Sequence, residues 1–171
     1  MYADFNAWLG ELPHRVKIVV PGNHEFLLEG DDQAARRLSN ATLLINRGVE
    51  ACGLRIWGSP VTALNGGAFG LSSMQDRRRI YQQIPAGTDI LVTHGPPHGI
   101  LDCEDPGSPH SGCPVLWDRV MEVKPQLHVF GHIHGGYGTV KIGPTTFANV
   151  AMWAGDGGAE RRPFTITLQG R

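Results

Sequence analysis

Three short apolar runs, each stopping at a metal-capable side chain beside a glycine, constrain this chain more than any other feature. The run over 16–20 leads into Pro21-Gly22-Asn23-His24-Glu25, and the run over 89–92 into Thr93-His94-Gly95-Pro96-Pro97. The run over 127–130 leads into Gly131-His132-Ile133-His134-Gly135-Gly136-Tyr137-Gly138. Runs of this length read as short strands, and the β-branched 16–20 stretch as one covered on both faces. In open α/β sheets sites form beyond the carboxyl ends of strands, so three such endings place a polar cluster at one rim. Along an extended segment residues i and i+2 point to the same side, which predicts that His132 and His134 project together while Ile133 turns away. The flanking glycines free the backbone for a tight turn. Two adjacent imidazoles suit a metal ion. Polar loop histidines are the plain alternative for an isolated His-x-His; the two companion stretches weigh against it.

The remaining pattern fills in an α/β chain. Phe5, Trp8, Leu9 and Leu12 at helical spacing predict an amphipathic helix over 3–11, packed on a sheet. A helix is expected over 31–38 with Asp31 or Asp32 near its N-terminus, where the helix dipole favours an acid. Short strands or a meander follow over 43–46, 48–51 and 54–57, then a mobile Gly-rich loop over 65–73. The charged stretch 73–83 reads as a helix whose Arg77-Arg78-Arg79 run is a solvated face. A further helix starts at Pro114 or Val115 and ends at Val123, proline suiting the first turn. Strands over 137–142, 145–150 and 163–168 complete the chain. With no internal repeat and no linker, 1–171 reads as one domain.

Composition narrows the class. A formal net charge of −1 gives no electrostatic footprint for nucleic acid. Three cysteines at irregular spacing, with no leader-like or long apolar segment, predict a cytoplasmic protein without a membrane span. Cys103, His110 and Cys113 could make a zinc clip, but a fourth ligand at suitable spacing is missing. His98, Asp102 and His110 are candidate substrate contacts in the same loop, otherwise ordinary loop residues. Glu25 either supports the neighbouring site or is a surface carboxylate. His14 and His128 have no motif around them and read as structural.

Gly22-Asn23-His24-Glu25, His94-Gly95-Pro96-Pro97 and Gly131-His132-Ile133-His134 resemble the last three motifs of the calcineurin-like metallophosphoesterases. The wording around them is similar to the branch of metallophosphoesterase-domain-containing proteins related to a brain-type cyclic-nucleotide phosphodiesterase. The resemblance implies a four-layer α-β-β-α sandwich. It further implies that Asn23, His94 and His132 are ligands of a second metal, His134 of a first, and that His24 protonates the leaving alcohol. The implied reaction is hydrolysis of phosphodiesters, cyclic nucleotides among them, by in-line attack of metal-bound hydroxide. Two divalent ions, about 3.5–4 Å apart in such centres, would screen the phosphate of a small-molecule ester or nucleotide. Mixed nitrogen and oxygen donors favour Mn, Fe or Zn. Asn23 would coordinate through its amide oxygen, and an imidazole titrating near neutrality suits a general acid.

The family's earlier motifs, Asp-x-His and Gly-Asp, have no counterpart here. No Asp-x-His occurs, and Asp4, the only aspartate before Gly22, falls in the expected first helix. Three neutral donors then remain for one ion and a single histidine for the other, so affinity should fall and only one ion be retained. The sandwich should lack its first strands, exposing apolar edges that favour a homo-oligomer. The chain is accordingly read as a piece of a longer protein, a pairing copy, or an impaired relative that binds a metal ion or nucleotide without turnover.

Overall fold

A computed structural model describes residues 2–30, 33–63, 66–153 and 161–169. In it two sheets are packed face to face, with helices outside. In the smaller, β1 (Ile18–Val19) lies parallel to β2 (Thr42–Leu43), Ile18 opposite Thr42. The larger contains β3 (Arg47–Ala51), β4 (Leu54–Ser59), β5 (Ile90–Thr93), β6 (Leu127–Phe130), β7 (Gly138–Ile142) and β8 (Thr145–Asn149). Its order is β3-β4-β5-β6-β8-β7, with β4, β5, β6 and β8 mutually parallel. Antiparallel hairpins close both edges. The β3–β4 hairpin turns at Cys52-Gly53, where φ is +53° and +73°, the paired positive angles of a type I′ turn.

On the outer face of the larger sheet lie α3 (Met74–Tyr81) and α4 (Pro114–Val123). Ser73 caps α3 by accepting the Asp76 N–H, and proline opens α4 as expected. Tyr81, Leu91, Leu116, Val120, Phe130 and Phe147 form their shared core. Each such side chain contributes about 1.5–3 kcal/mol on burial. Beyond the smaller sheet, α1 (Tyr2–Glu11) and the single turn α2 (Ala34–Arg37) close a second core around Leu9, Leu28, Leu38 and Leu43. The two sheets touch at Gly58, where a Cβ would fall 2.4 Å from Leu44 Cβ and 2.7 Å from Val20 Cγ2. Helix, sheet, sheet and helix therefore stack as four layers.

Several expectations need correction. The 16–20 strand shrinks to two half-buried residues, because among the described residues β1 has one partner strand and so one covered edge. A two-stranded sheet is also too narrow to cover the stripe of α1. Leu9 is buried, whereas Phe5 and Trp8 stack on each other at 5.6 Å and Trp8 stays 51% exposed. The expected 31–38 helix is one turn, with Asp31 and Asp32 outside the described residues. Over its described part the 65–73 loop packs inward, placing Ala68 and Phe69 in the second core. Arg77 leaves the solvated face: it is buried, and its guanidinium donates to the Leu71 and Ser72 carbonyls. No strand forms over 163–168, where Pro163 lacks the N–H a ladder needs. That segment instead lays Phe164 against Tyr137, ring centroids 4.9 Å apart.

Candidate metal centre

Strand pairing builds the centre. β5 and β6 run parallel in register, Val92 opposite Val129, and the Gly131 N–H donates to the His94 carbonyl at 3.0 Å. His94 and His132 thereby emerge side by side, ring centroids 4.7 Å apart and tilted 54°. The turn after β1 arrives from the other sheet. A Cβ on Gly22 would meet the His94 ring at 2.4–2.9 Å, so only glycine lets these segments approach. Asn23 then sets its Oδ1 2.8 Å from His94 Nε2. The turn is held from within: Glu25 accepts the Gly22 N–H at 2.5 Å and returns its own N–H to the Gly22 carbonyl at 3.2 Å. Glu25 is thus a brace for the turn. Ala68 N–H donates to the Asn23 carbonyl at 2.9 Å from the loop behind.

His24 and His134 are both exposed, at the rim of this trio. The expected extended His-x-His geometry does not form. The β6 ladder ends at Phe130, and His132 adopts φ +69°, a left-handed conformation unusual for a residue with a Cβ. His134 then opens a 3-10 turn, His134–Gly136, while Ile133 is buried. Once the ladder stops, alternation no longer governs where the imidazoles point. The strained angle sits on the histidine instead of its glycine neighbours, as backbone strain often does at functional sites.

Electrostatics favour neutral rings. Burial, with repulsion from His132 and His24, lowers the His94 pKa to about 4. Burial also lowers His132, opposed by the Glu104 carboxylate and reinforced by His134 and His24. Neutral imidazoles at pH 7 keep a lone pair free for a cation.

The calcineurin-like phosphoesterase family model matches residues 2–136. The chain belongs to that family. It is 38% identical over 168 residues to a UPF0046 protein of Caenorhabditis elegans, covering 86% of this chain and 60% of the relative. It is 36% identical over 174 residues to metallophosphoesterase domain-containing protein 1 of Homo sapiens, covering 86% of this chain and 53% of that protein. The chain thus spans about half to three fifths of the curated relatives it matches. A solved structure superposes with TM-score 0.66 at 22% identity, covering 88% of this chain and 62% of the other, a likeness of fold.

Calcineurin-like phosphoesterases generally use divalent metals, and the donors here fit one ion: an amide oxygen, two neutral imidazoles, and no positive charge among them. They fit two ions poorly. Among the described residues, neither His94 nor His132 joins a three-donor cluster of histidine, cysteine and carboxylate groups. A largely apolar cavity of 370 Å³ lies beside β1, lined by Phe5, Val19, Val20, Leu28, Leu38 and His94 among others.

Sequence reading missed two supports of this candidate centre. Asn149 is fully buried and opposite Phe130; its amide donates to the Leu101 and Ile133 carbonyls at 2.9 and 2.8 Å. The signal was present, since the 145–149 run also ends in a polar residue at the same rim. Arg161 donates to the carbonyls of His134 (2.8 Å), Ala151 (2.6 Å) and Trp153 (3.1 Å), and lies over the Tyr137 ring. Nothing in its local sequence announced that. His128, read as structural, is fully buried with Nε2 2.9 Å from Thr93 Oγ1; His14 is exposed.

Proposed function

We propose that this chain carries the catalytic-rim half of a metal-dependent phosphodiesterase centre, with Asn23, His94 and His132 as ligands of one divalent ion and His134 as a ligand toward a second. The observation that supports it is the convergence of Asn23 Oδ1, the His94 ring and the His132 ring from three separate strand ends. A bound Mn, Fe or Zn ion would supply Lewis acidity to a phosphoryl group and acidify water. The chain's own part is to hold neutral donors in place and to offer His24, exposed at the rim, as the acid that protonates a leaving alcohol. A small phosphodiester, a cyclic nucleotide included, is the substrate this reading favours.

A second reading, one-metal or nucleotide binding without turnover, is favoured by a specific observation. No carboxylate among the described residues completes a three-donor cluster with these histidines, and an anionic bridge is what a pair of divalent ions needs. One experiment separates them. Chain loaded with Mn²⁺ is analysed for bound metal after gel filtration and assayed on bis-p-nitrophenyl phosphate beside His24→Ala and His94→Ala. On the first reading hydrolysis is measurable, His24→Ala lowers kcat by about 10²–10⁴ with metal content unchanged, and His94→Ala loses metal as well. Metal binding without hydrolysis selects the second reading. Hydrolysis that survives His24→Ala removes the assigned acid.

A further inference from the structure

The loop between β5 and α4 brings together three donors that the centre above does not use. Asp102 Oδ1 lies 2.7 Å from His110 Nδ1, and Cys103 Sγ lies 3.4 Å from the same nitrogen and 4.0 Å from Asp102 Oδ1. Among the described residues this is the one group of three such donors whose ligand atoms all fall within 4.8 Å of one another. Cys113, the third member of the clip expected from sequence, is instead buried in the main core. The carboxylate takes its place.

We propose that Asp102 Oδ1, Cys103 Sγ and His110 Nδ1 form a separate metal site for a borderline-soft divalent cation of the zinc class. The donor set suits such an ion, which takes thiolate, imidazole and carboxylate together in tetrahedral geometry. With zinc bond lengths near 2.0–2.3 Å, tetrahedral ligand atoms lie roughly 3.3–3.6 Å apart. The three spacings straddle that range, so shifts of roughly half an ångström suffice. Asp102 is pre-oriented: it is 1% exposed, and its Oδ2 accepts the Gly99 and Gly112 N–H groups at 2.9 Å each, which leaves Oδ1 facing the cluster. Cys103 and His110 remain accessible, and a cavity of 260 Å³ opens beside them. A fourth position is then free for water or an incoming ligand, and His98 lies edge-on to His110 at 5.1 Å.

A cysteine nucleophile relay is the competing use of these residues, and the geometry disfavours it. In a relay the imidazole contacts the thiol through one nitrogen and the carboxylate through the other. Here both contacts fall on Nδ1. A cation bound by Nδ1, Oδ1 and Sγ takes the place of the Nδ1 hydrogen bonds: the neutral imidazole carries its proton on Nε2, and binding releases the thiol proton to solvent.

Thiolate-to-cobalt charge transfer tests the site without interference, because the Asn23/His94/His132 trio contains no sulfur. Full chain stripped with chelator is titrated with Co²⁺ and followed in the near ultraviolet. The band should appear with one equivalent at this site, be displaced by Zn²⁺, persist in Cys52→Ser, and vanish in Cys103→Ser. His110→Ala should weaken it about tenfold or more. Cys103 and His110 are on the surface, so these variants leave the fold intact, and the visible Co²⁺ absorption of the histidine trio provides an internal check. Absence of the band, or its survival in Cys103→Ser, overturns the proposal while leaving the phosphodiesterase reading untouched.

Discussion

Asn149 shows how one buried amide can set the form of a surface loop. Its two donated bonds hold the carbonyls of Leu101 and Ile133, and its Oδ1 accepts the Ala151 N–H at 3.0 Å, so three backbone segments meet on one side chain. Leucine has similar volume but satisfies none of them. Asn149→Leu should therefore cost about 2–3 kcal/mol in urea unfolding, most of it from the Leu101 carbonyl and the Ala151 N–H left without their partner, since the Ile133 carbonyl keeps the Gly136 N–H at 3.3 Å. The same change should weaken Mn²⁺ binding, since Ile133 sits between the two rim histidines. Unaltered stability would mean that water replaces the amide. Asp102 plays the corresponding part in its own loop. Burial alone would push its carboxyl up, but hydrogen bonds from His110 and the Gly99 and Gly112 amides outweigh this and hold it below the ordinary carboxylate range.

At the scale of elements, the centre depends on how closely the β1 turn approaches the end of β5. Gly22→Ala tests that approach directly, because its φ is not in the left-handed region and alanine adds only a methyl group aimed at the His94 ring. The ring must move, breaking its 2.8 Å contact with Asn23 Oδ1. Divalent-metal affinity should fall about tenfold or more, while thermal stability changes by no more than about 1–3 kcal/mol. Calorimetric titration beside a melting curve separates the two effects. Equal metal affinity in Gly22→Ala would show that Asn23 and His94 do not act together. The two-residue β1 and one-turn α2 are thin elements, and the apolar cavity beside β1 is their open flank.

Across the whole molecule, buried histidines make stability acid-sensitive. His128 is fully buried, sits against Phe130 and Phe147, and has no partner for Nδ1 among the described residues; burial lowers its pKa to about 3. His94 and His132 are lowered as well. The sign follows from proton counting. Below the ordinary histidine value near 6.5 the unfolded chain takes up protons that the native chain refuses, so stability is full above that pH and falls as pH drops toward 4. The metal-free urea midpoint should be flat from about pH 7 to 8 and decline below about 6.5. His128→Phe preserves the aromatic packing and should reduce that decline by an amount on the order of a few kcal/mol between pH 6.5 and 4. An identical decline in the variant would place the acid sensitivity elsewhere. At the same scale, no described helix is long and apolar enough to cross a membrane.

Local sequence was enough to locate β5 and β6, the helices α3 and α4, and the three strand endings with Asn23, His94 and His132, because a short apolar run followed by glycine and histidine carries its meaning in neighbouring residues. The motif wording was enough for the family. Tertiary structure alone decided the rest. Alternation could not foresee that His132 turns left-handed where the ladder ends, nor helical periodicity that a two-stranded sheet would leave Trp8 bare. The inward turn of Arg77, the support of Asn149 and Arg161, and the exchange of Cys113 for Asp102 beside Cys103 and His110 all depend on which segments meet in space. Contacts between residues distant in the chain leave no periodic trace along it.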